Sequence, residues 1–322
     1  MQWDAVIELR GASGCIVAIA AVLGLLLTPD RSAHAQTPDG NAAGSINLGS
    51  RAGLTAGAPV GTAPRQETAG GPFDFSVRAG LASDYIYRGV TLSDHKPAVG
   101  AGLEASLGLL YGGATVTSVN LPTRPAAEIT MSGGVRPQLW DIQLDFGATY
   151  FLYPGETAPV GGTAGIEYWE AGGRADTSIG EMLRVAGGFA YSPNVSNTGA
   201  WSKYAAFGLG VDLPRNVLPQ NVTASITSGA GYYWFGNQSP ALGGFPLPAY
   251  LNWSAGVTFS RQIFNLDLRY YDTNLSKEDC FVFTGDPNAA AGGSIDPVRN
   301  PLGLTSRWCS ATFVAKFWFA LQ

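Results

Sequence analysis

Asp141-Ile142-Gln143-Leu144-Asp145-Phe146-Gly147-Ala148-Thr149-Tyr150-Phe151-Leu152 is the stretch that decides the fold. Ile142, Leu144, Phe146, Ala148, Tyr150 and Leu152 fall on one face, and Asp141, Gln143, Asp145, Gly147 and Thr149 on the other. A period of two belongs to extended backbone, whose successive side chains point to opposite sides of a sheet. A helix would need apolar residues at three- and four-residue spacing, and that stripe is missing here. One face is oily and the other polar or small, so the strand divides an apolar environment from an aqueous one.

The same alternation recurs on both sides of this stretch. Phe264, Leu266, Leu268 and Tyr270 oppose Asn265, Asp267, Arg269 and Tyr271. Val99, Ala101, Leu103, Ala105 and Leu107 oppose Gly100, Gly102, Glu104 and Ser106. In all, the pattern predicts about twelve strands, over 73–88, 97–109, 111–120, 126–136, 139–153, 164–173, 182–192, 200–212, 221–235, 249–260, 262–273 and 305–319. Most reach the ~9–11 residues that a tilted strand needs to cross a bilayer, well above the ~5–6 of globular sheets. Connections after the odd-numbered strands are mostly long, and those after the even-numbered ones mostly short. Such asymmetry belongs to a membrane barrel with long external loops and short periplasmic turns. The fold expected for residues 73–322 is therefore all-β, a transmembrane antiparallel up-and-down β-barrel of about 12 strands. Aromatic residues near strand ends, such as Tyr85, Tyr87, Tyr150, Tyr153, Tyr232, Tyr233, Trp234 and Phe235, are expected in the interfacial girdles.

Composition agrees with that reading. Only 13% of the 322 residues are charged, the net charge is −5, and glycine occupies 43 positions. An ordinary soluble domain is roughly 25% charged and roughly 7% glycine. Strands with one face toward lipid account for the deficit of charge. Two histidines, His34 and His95, leave little for histidine-based metal or acid–base chemistry. Without a basic block, nucleic acid is excluded as a partner. Residues 1–35 read as a signal peptide, with the apolar run from Cys15 to Leu27 and the Ala33-His34-Ala35 signal, cleavage being expected after Ala35. Residues 36–72, rich in Gly, Ala and Pro, carry too few large apolar side chains to fold and are expected to be a disordered leader.

Several motifs carry a family resemblance. They are Ser83-Asp84-Tyr85-Ile86-Tyr87-Arg88-Gly89-Val90 followed by Lys96-Pro97-Ala98-Val99, then Tyr150-Phe151-Leu152-Tyr153-Pro154-Gly155, Glu167-Tyr168-Trp169-Glu170 and Leu268-Arg269-Tyr270-Tyr271-Asp272-Thr273, with the late Cys280 and Cys309. Together they resemble the TorF-type porins of Gram-negative bacteria over residues 73–322. The resemblance implies an outer-membrane β-barrel acting as a porin, and it leaves the solute open.

The polar strand faces carry Arg78, Asp84, Arg88, Glu104, Glu128, Arg136, Asp141, Asp145, Arg184, Asp267 and Arg269, which are the candidate lumen-lining residues. Opposed charges in a lumen either tune which ions pass or pair across strands and brace the interior. Interior glycines such as Gly102, Gly210 and Gly231 are expected to leave open cross-section. Cys280 and Cys309, the two cysteines beyond the signal peptide, are expected to form a disulfide in an oxidising compartment. Ser93, Asp94 and His95 invite a hydrolase reading, yet neighbours on a short loop rarely supply the fixed geometry of a catalytic triad. The expected function is passive diffusion of small hydrophilic solutes or ions across the outer membrane, with membrane lipid as surroundings, no enzymatic activity and no cofactor. The alternative is a barrel acting as an enzyme or as a loop-mediated adhesion or binding protein.

Overall fold

A computed structural model describes residues 73–157, 165–289 and 303–321. The anticipated signal peptide and leader, residues 1–72, lie outside them.

Twelve long antiparallel strands form the wall. They are β1 (Phe73–Ala82), β4 (Ala98–Leu107), β5 (Leu110–Thr117), β6 (Glu128–Val135), β8 (Ile142–Leu152), β9 (Tyr168–Ile179), β10 (Leu183–Ser192), β11 (Ser202–Asp212), β12 (Thr223–Phe235), β13 (Tyr250–Arg261), β14 (Phe264–Thr273) and β15 (Thr312–Leu321). Each pairs with its neighbour along the chain. β1 also pairs with β15, in the register Val77↔Leu321 and Leu81↔Phe317, so the sheet closes on itself and leaves no free edge. Among the described residues three smaller strands remain: β2 (Ile86–Tyr87) and β3 (Val90–Thr91) pair with each other, and β7 (Gln138–Leu139) continues the β8 hairpin.

Alternation sorts the side chains as expected. On β8, Phe146, Ala148 and Tyr150 point outward, while Asp145, Thr149 and Phe151 point in. Large apolar residues such as Phe75, Leu81, Val99, Leu103, Phe189, Phe207, Ile226 and Phe313 are exposed on the outside. The polar or charged Glu128, Thr130, Glu170, Asn252, Thr258, Asp267 and Arg269 are buried on the inside. A water-soluble protein has the reverse arrangement, and an apolar exterior of this extent matches the hydrocarbon of a bilayer.

Connections also sort as expected. At one end they span residues 108–109, 136–141, 180–182, 213–222 and 262–263; at the other they span 83–97, 118–127, 153–167, 193–201, 236–249 and 274–311.

Strand ends depart from expectation in an instructive way. The first strand stops at Ala82 rather than continuing to 88, because residues 83–97 turn into the barrel. Tyr85, Tyr153, Tyr233, Phe235 and Tyr250 consequently belong to the interior, and only ring-bearing residues of the opposite parity, such as Tyr150, Trp169 and Trp234, face outward. Position near a strand end does not define a girdle; parity does. Gly231 also leaves no gap, because the Tyr204 ring lies over it, where a Cβ would collide.

Candidate functional site

At the long-loop end the lumen is filled by the first long connection. Within it, β2 and β3 form a two-residue hairpin whose turn is Arg88-Gly89, with φ of 49° and 85°. Two positive φ values in succession define a type I′ turn, which suits the twist of a hairpin and favours Asn or Gly at both positions. Gly89 is required on a second count: a Cβ there would run into Thr273 Cγ2 on β14 and stand 3.0 Å from Asn252 Cβ on β13. The hairpin therefore leaves the β1–β4 wall for the lumen, with Gly89 packed against β13 and β14.

Arg88 anchors that landing. Its Nη1 and Nη2 donate to the two Glu170 carboxylate oxygens at 2.9 and 2.6 Å. The guanidinium lies 4.8, 4.2 and 4.5 Å from the ring centroids of Tyr87, Tyr204 and Tyr233. A planar, weakly hydrated cation held by a two-point carboxylate contact and several ring faces is a strong arrangement once water is excluded. Water is excluded here: the two side chains are 0% and 4% exposed.

A second carboxylate braces the base of the hairpin. Tyr85 Oη and Tyr153 Oη donate to the two oxygens of Glu128 at 2.6 and 2.8 Å. Around these polar centres, Val90, Phe151, Tyr168, Tyr204, Tyr233, Phe235, Leu247 and Tyr250 pack into one apolar cluster. Phe151 and Tyr168 stack with centroids 4.5 Å apart.

Above the hairpin, the final long connection acts as a clamp. Helix α1 (Lys277–Thr284) begins at Ser276, whose side chain accepts from the Asp279 amide. The Cys280–Cys309 disulfide, expected from the sequence, ties α1 to the segment before β15, with the Cα atoms 5.8 Å apart. Trp308 follows: its Nε1 donates to Asp94 at 2.9 Å and its carbonyl accepts from the Thr91 amide at 2.9 Å. His95 completes the joint, its Nδ1 2.8 Å from Asp84 Oδ2 and its Nε2 3.1 Å from the Arg307 carbonyl. The bond to Asp84 raises the pKa of His95 above its ordinary value despite the opposing effect of burial. Ser93 Oγ donates to the Lys96 carbonyl at 2.7 Å and also contacts Asp84 at 2.8 Å. Both imidazole nitrogens of His95 face other groups, Asp84 and the Arg307 carbonyl, so His95 is not placed as a base for Ser93.

The short-turn half of the lumen is different. Arg136 donates to Glu104 at 2.7 Å and to Asp145 at 3.0 Å and lies 3.6 Å from the Tyr111 ring centroid. Arg184 pairs with Asp212 at 2.7 Å. Arg136 and Glu104 keep 19% and 15% side-chain exposure, so water reaches this half, while the hairpin narrows the other. Along the β12–β14 wall, Arg269 contacts Asp267 at 3.0 Å through Nε and Thr227 Oγ1 at 2.6 Å, and Thr258 donates to Asp267 at 2.8 Å.

The structure thus distributes the eleven sequence candidates unevenly. Arg78, Glu104, Glu128, Arg136, Asp145, Arg184, Asp267 and Arg269 sit on or beside inward strand faces. Asp84 and Arg88 belong to the inward-folded connection rather than to the wall, because β1 ends before them. Asp141 is exposed in the turn between β7 and β8 rather than on a strand face. Glu170, Tyr204 and Tyr233, which hold Arg88, were missing from the candidate set. The parity shared by Tyr168 and Glu170 in their strand is the signal that could have found Glu170. Among the described residues, no group of three His, Cys, Asp or Glu side chains could hold a metal ion.

Comparison with solved structures brings out membrane barrels. The NanC porin is 9% identical, with 77% of this chain and 100% of that chain covered and a TM-score of 0.42. LpxR from Salmonella typhimurium is 9% identical, with 76% and 99% covered and a TM-score of 0.37. OmpT, an outer membrane protein of Vibrio cholerae, is 10% identical, with 77% and 97% covered and a TM-score of 0.33. A comparison with curated proteins finds no match. The family model described as "Bacterial protein of unknown function (Gcw_chp)" matches residues 66–292, most of the barrel included, and the chain belongs to that family.

Proposed function

We propose that this barrel is an outer-membrane porin of the TorF type, which passes small hydrophilic solutes or ions by passive diffusion, with the β2–β3 hairpin as its constriction. The observation that carries the reading is the inverted barrel: an apolar exterior around an interior lined with charge, water-accessible at Arg136 and Glu104. On this reading the short-turn end faces the periplasm, and the signal peptide delivers the chain there. Solutes meet the charges of Arg78, Glu104, Arg136, Asp145 and Arg184 in the open half, while the buried Asp267 and Arg269 brace the wall and the buried Asp84, Arg88 and Glu128 hold the hairpin.

A planar-bilayer recording tests it. Intact protein is compared with a variant in which residues 85–92 are replaced by a short Gly-Ser link. Small or infrequent steps are expected from the intact chain and larger steps from the variant. If neither folded protein produces steps above the lipid background, the channel reading is wrong.

A further inference from the structure

Arg88 occupies a place built for a planar cation. Two of the three rings around its guanidinium, Tyr204 on β11 and Tyr233 on β12, belong to the wall, as does Glu170 on β9. The two rings meet edge to face with centroids 5.3 Å apart, which fixes their orientation. Tyr233 Oη and Tyr87 Oη donate to the Glu170 oxygens at 3.2 and 3.3 Å and aim the carboxylate. Only Tyr87 and Arg88 come from the hairpin, so most of the box stands without them. Arg88 itself is an unfavourable choice for its position: its φ of 49° lies in the left-handed region. Local strain at a residue whose side chain makes these contacts marks a function for the side chain.

Resting on the channel reading above, we infer that Glu170, Tyr204 and Tyr233 form a lumen binding site for small solutes bearing a guanidinium group, and that Arg88 is the tethered occupant such a solute displaces. The carboxylate matches the two parallel N–H donors of a guanidinium, and the rings match its flat faces. A neutral analogue of the same shape has one N–H pair replaced by a carbonyl oxygen, which meets the carboxylate with repulsion. Tethering keeps the local concentration of Arg88 in the millimolar range, so free solute competes at a disadvantage in the intact chain.

Calorimetric titration of the detergent-solubilised full chain tests this. Arg88→Gly removes the occupant and suits the positive φ; Arg88→Asn, also favoured in this turn, serves as the second variant. The probes are arginine amide and citrulline amide, which share the α-ammonium group and differ in that the citrulline side chain is neutral. Both variants should bind arginine amide at least tenfold more tightly than the intact chain does, and at least tenfold more tightly than citrulline amide. Adding Glu170→Gln should weaken that binding at least tenfold. Equal affinity for the two probes, no binding by either heat-modifiable, folded variant, or indifference to Glu170→Gln would overturn the site. Binding is read here without a membrane, so a failed conductance measurement and a failed titration are separate results.

Discussion

Replacing Glu170 by Gln should release the hairpin while leaving the barrel intact. The carboxylate accepts both Arg88 donors within 2.9 Å, and neither partner has appreciable contact with water. Removing one charge of such a pair leaves the other buried without compensation, which costs about 3–5 kcal/mol. Glutamine keeps the volume and one acceptor, so the loss falls at the lower end, about 3 kcal/mol, or roughly 150-fold in the hairpin's opening equilibrium at 1.4 kcal/mol per tenfold. The rings of Tyr204 and Tyr233 remain in place and do not offset this loss, since their attraction to the guanidinium is already present in the native chain. The hairpin has its own small sheet and no wall pairing, so the cost should appear as local opening rather than as global unfolding. Hydrogen–deuterium exchange on folded protein reads it directly: peptides covering 83–97 should lose protection by about two orders of magnitude, while peptides from β13 and β14 hold theirs. Combining the change with Arg88→Gly should restore much of the protection, because no uncompensated charge is left. If the single variant alters hairpin exchange by less than threefold, or if the wall strands exchange equally fast, the ion pair does not hold the plug.

Other perturbations probe the remaining parts. Breaking the Cys280–Cys309 crosslink, which closes a separation of 29 residues, should cost the clamp about 3–4 kcal/mol in the chain-entropy estimate. Reduced protein should keep its heat-modifiable migration but become sensitive to proteolysis between 274 and 311. Burying a cation in lipid gives a third test. Phe207→Arg, at the middle of β11 on the exposed outer face, should destabilise the folded barrel by about 2–4 kcal/mol in vesicle unfolding titrations, whereas a polar substitution at inward Gly208 should not show that depth-dependent penalty. His95 supplies a pH dependence. Its pKa is raised by Asp84 Oδ2, with the Arg307 carbonyl and Asp94 adding in the same direction. A raised folded value means that the joint's extra stability is fully present below the unfolded pKa of about 6.5 and is lost as pH rises through the folded value. Protection factors at residues 303–311, corrected for the intrinsic rate of amide exchange, should therefore fall on the alkaline side, and His95→Asn should abolish that fall.

Much of the architecture is legible in the chain because a lipid-facing wall must alternate at every strand. Asp141–Leu152 alone separates an oily from a polar face, and the register of β8 with β6 and β9 preserves that split. Strand number, the two classes of connection and the crosslink follow from similar local patterns. The candidate site was half legible. Arg88, Asp84 and Glu128 stood out as charges in an apolar chain, although the first two read as part of a strand. What they touch was hidden, since Arg88 meets Glu170, Tyr204 and Tyr233 at separations of 82, 116 and 145 residues. The girdle assignment of Tyr85, Tyr153, Tyr233 and Phe235 failed for the same reason: a tyrosine at a strand end reads alike whether it faces lipid or a plug.

What the sequence by itself determined is the wall, because alternation between lipid and lumen is written residue by residue in a period of two. What only the tertiary structure decided is the state of the interior. Whether a connection extends outward or folds into the lumen depends on whether distant side chains complement it, and here partners from three strands, β9, β11 and β12, converge on one arginine. The low charge content that marks the chain as a membrane barrel is thus spent on two different tasks. Lumen charges near the short turns stay hydrated, and those near the hairpin are desolvated by the contacts that hold it inside the barrel.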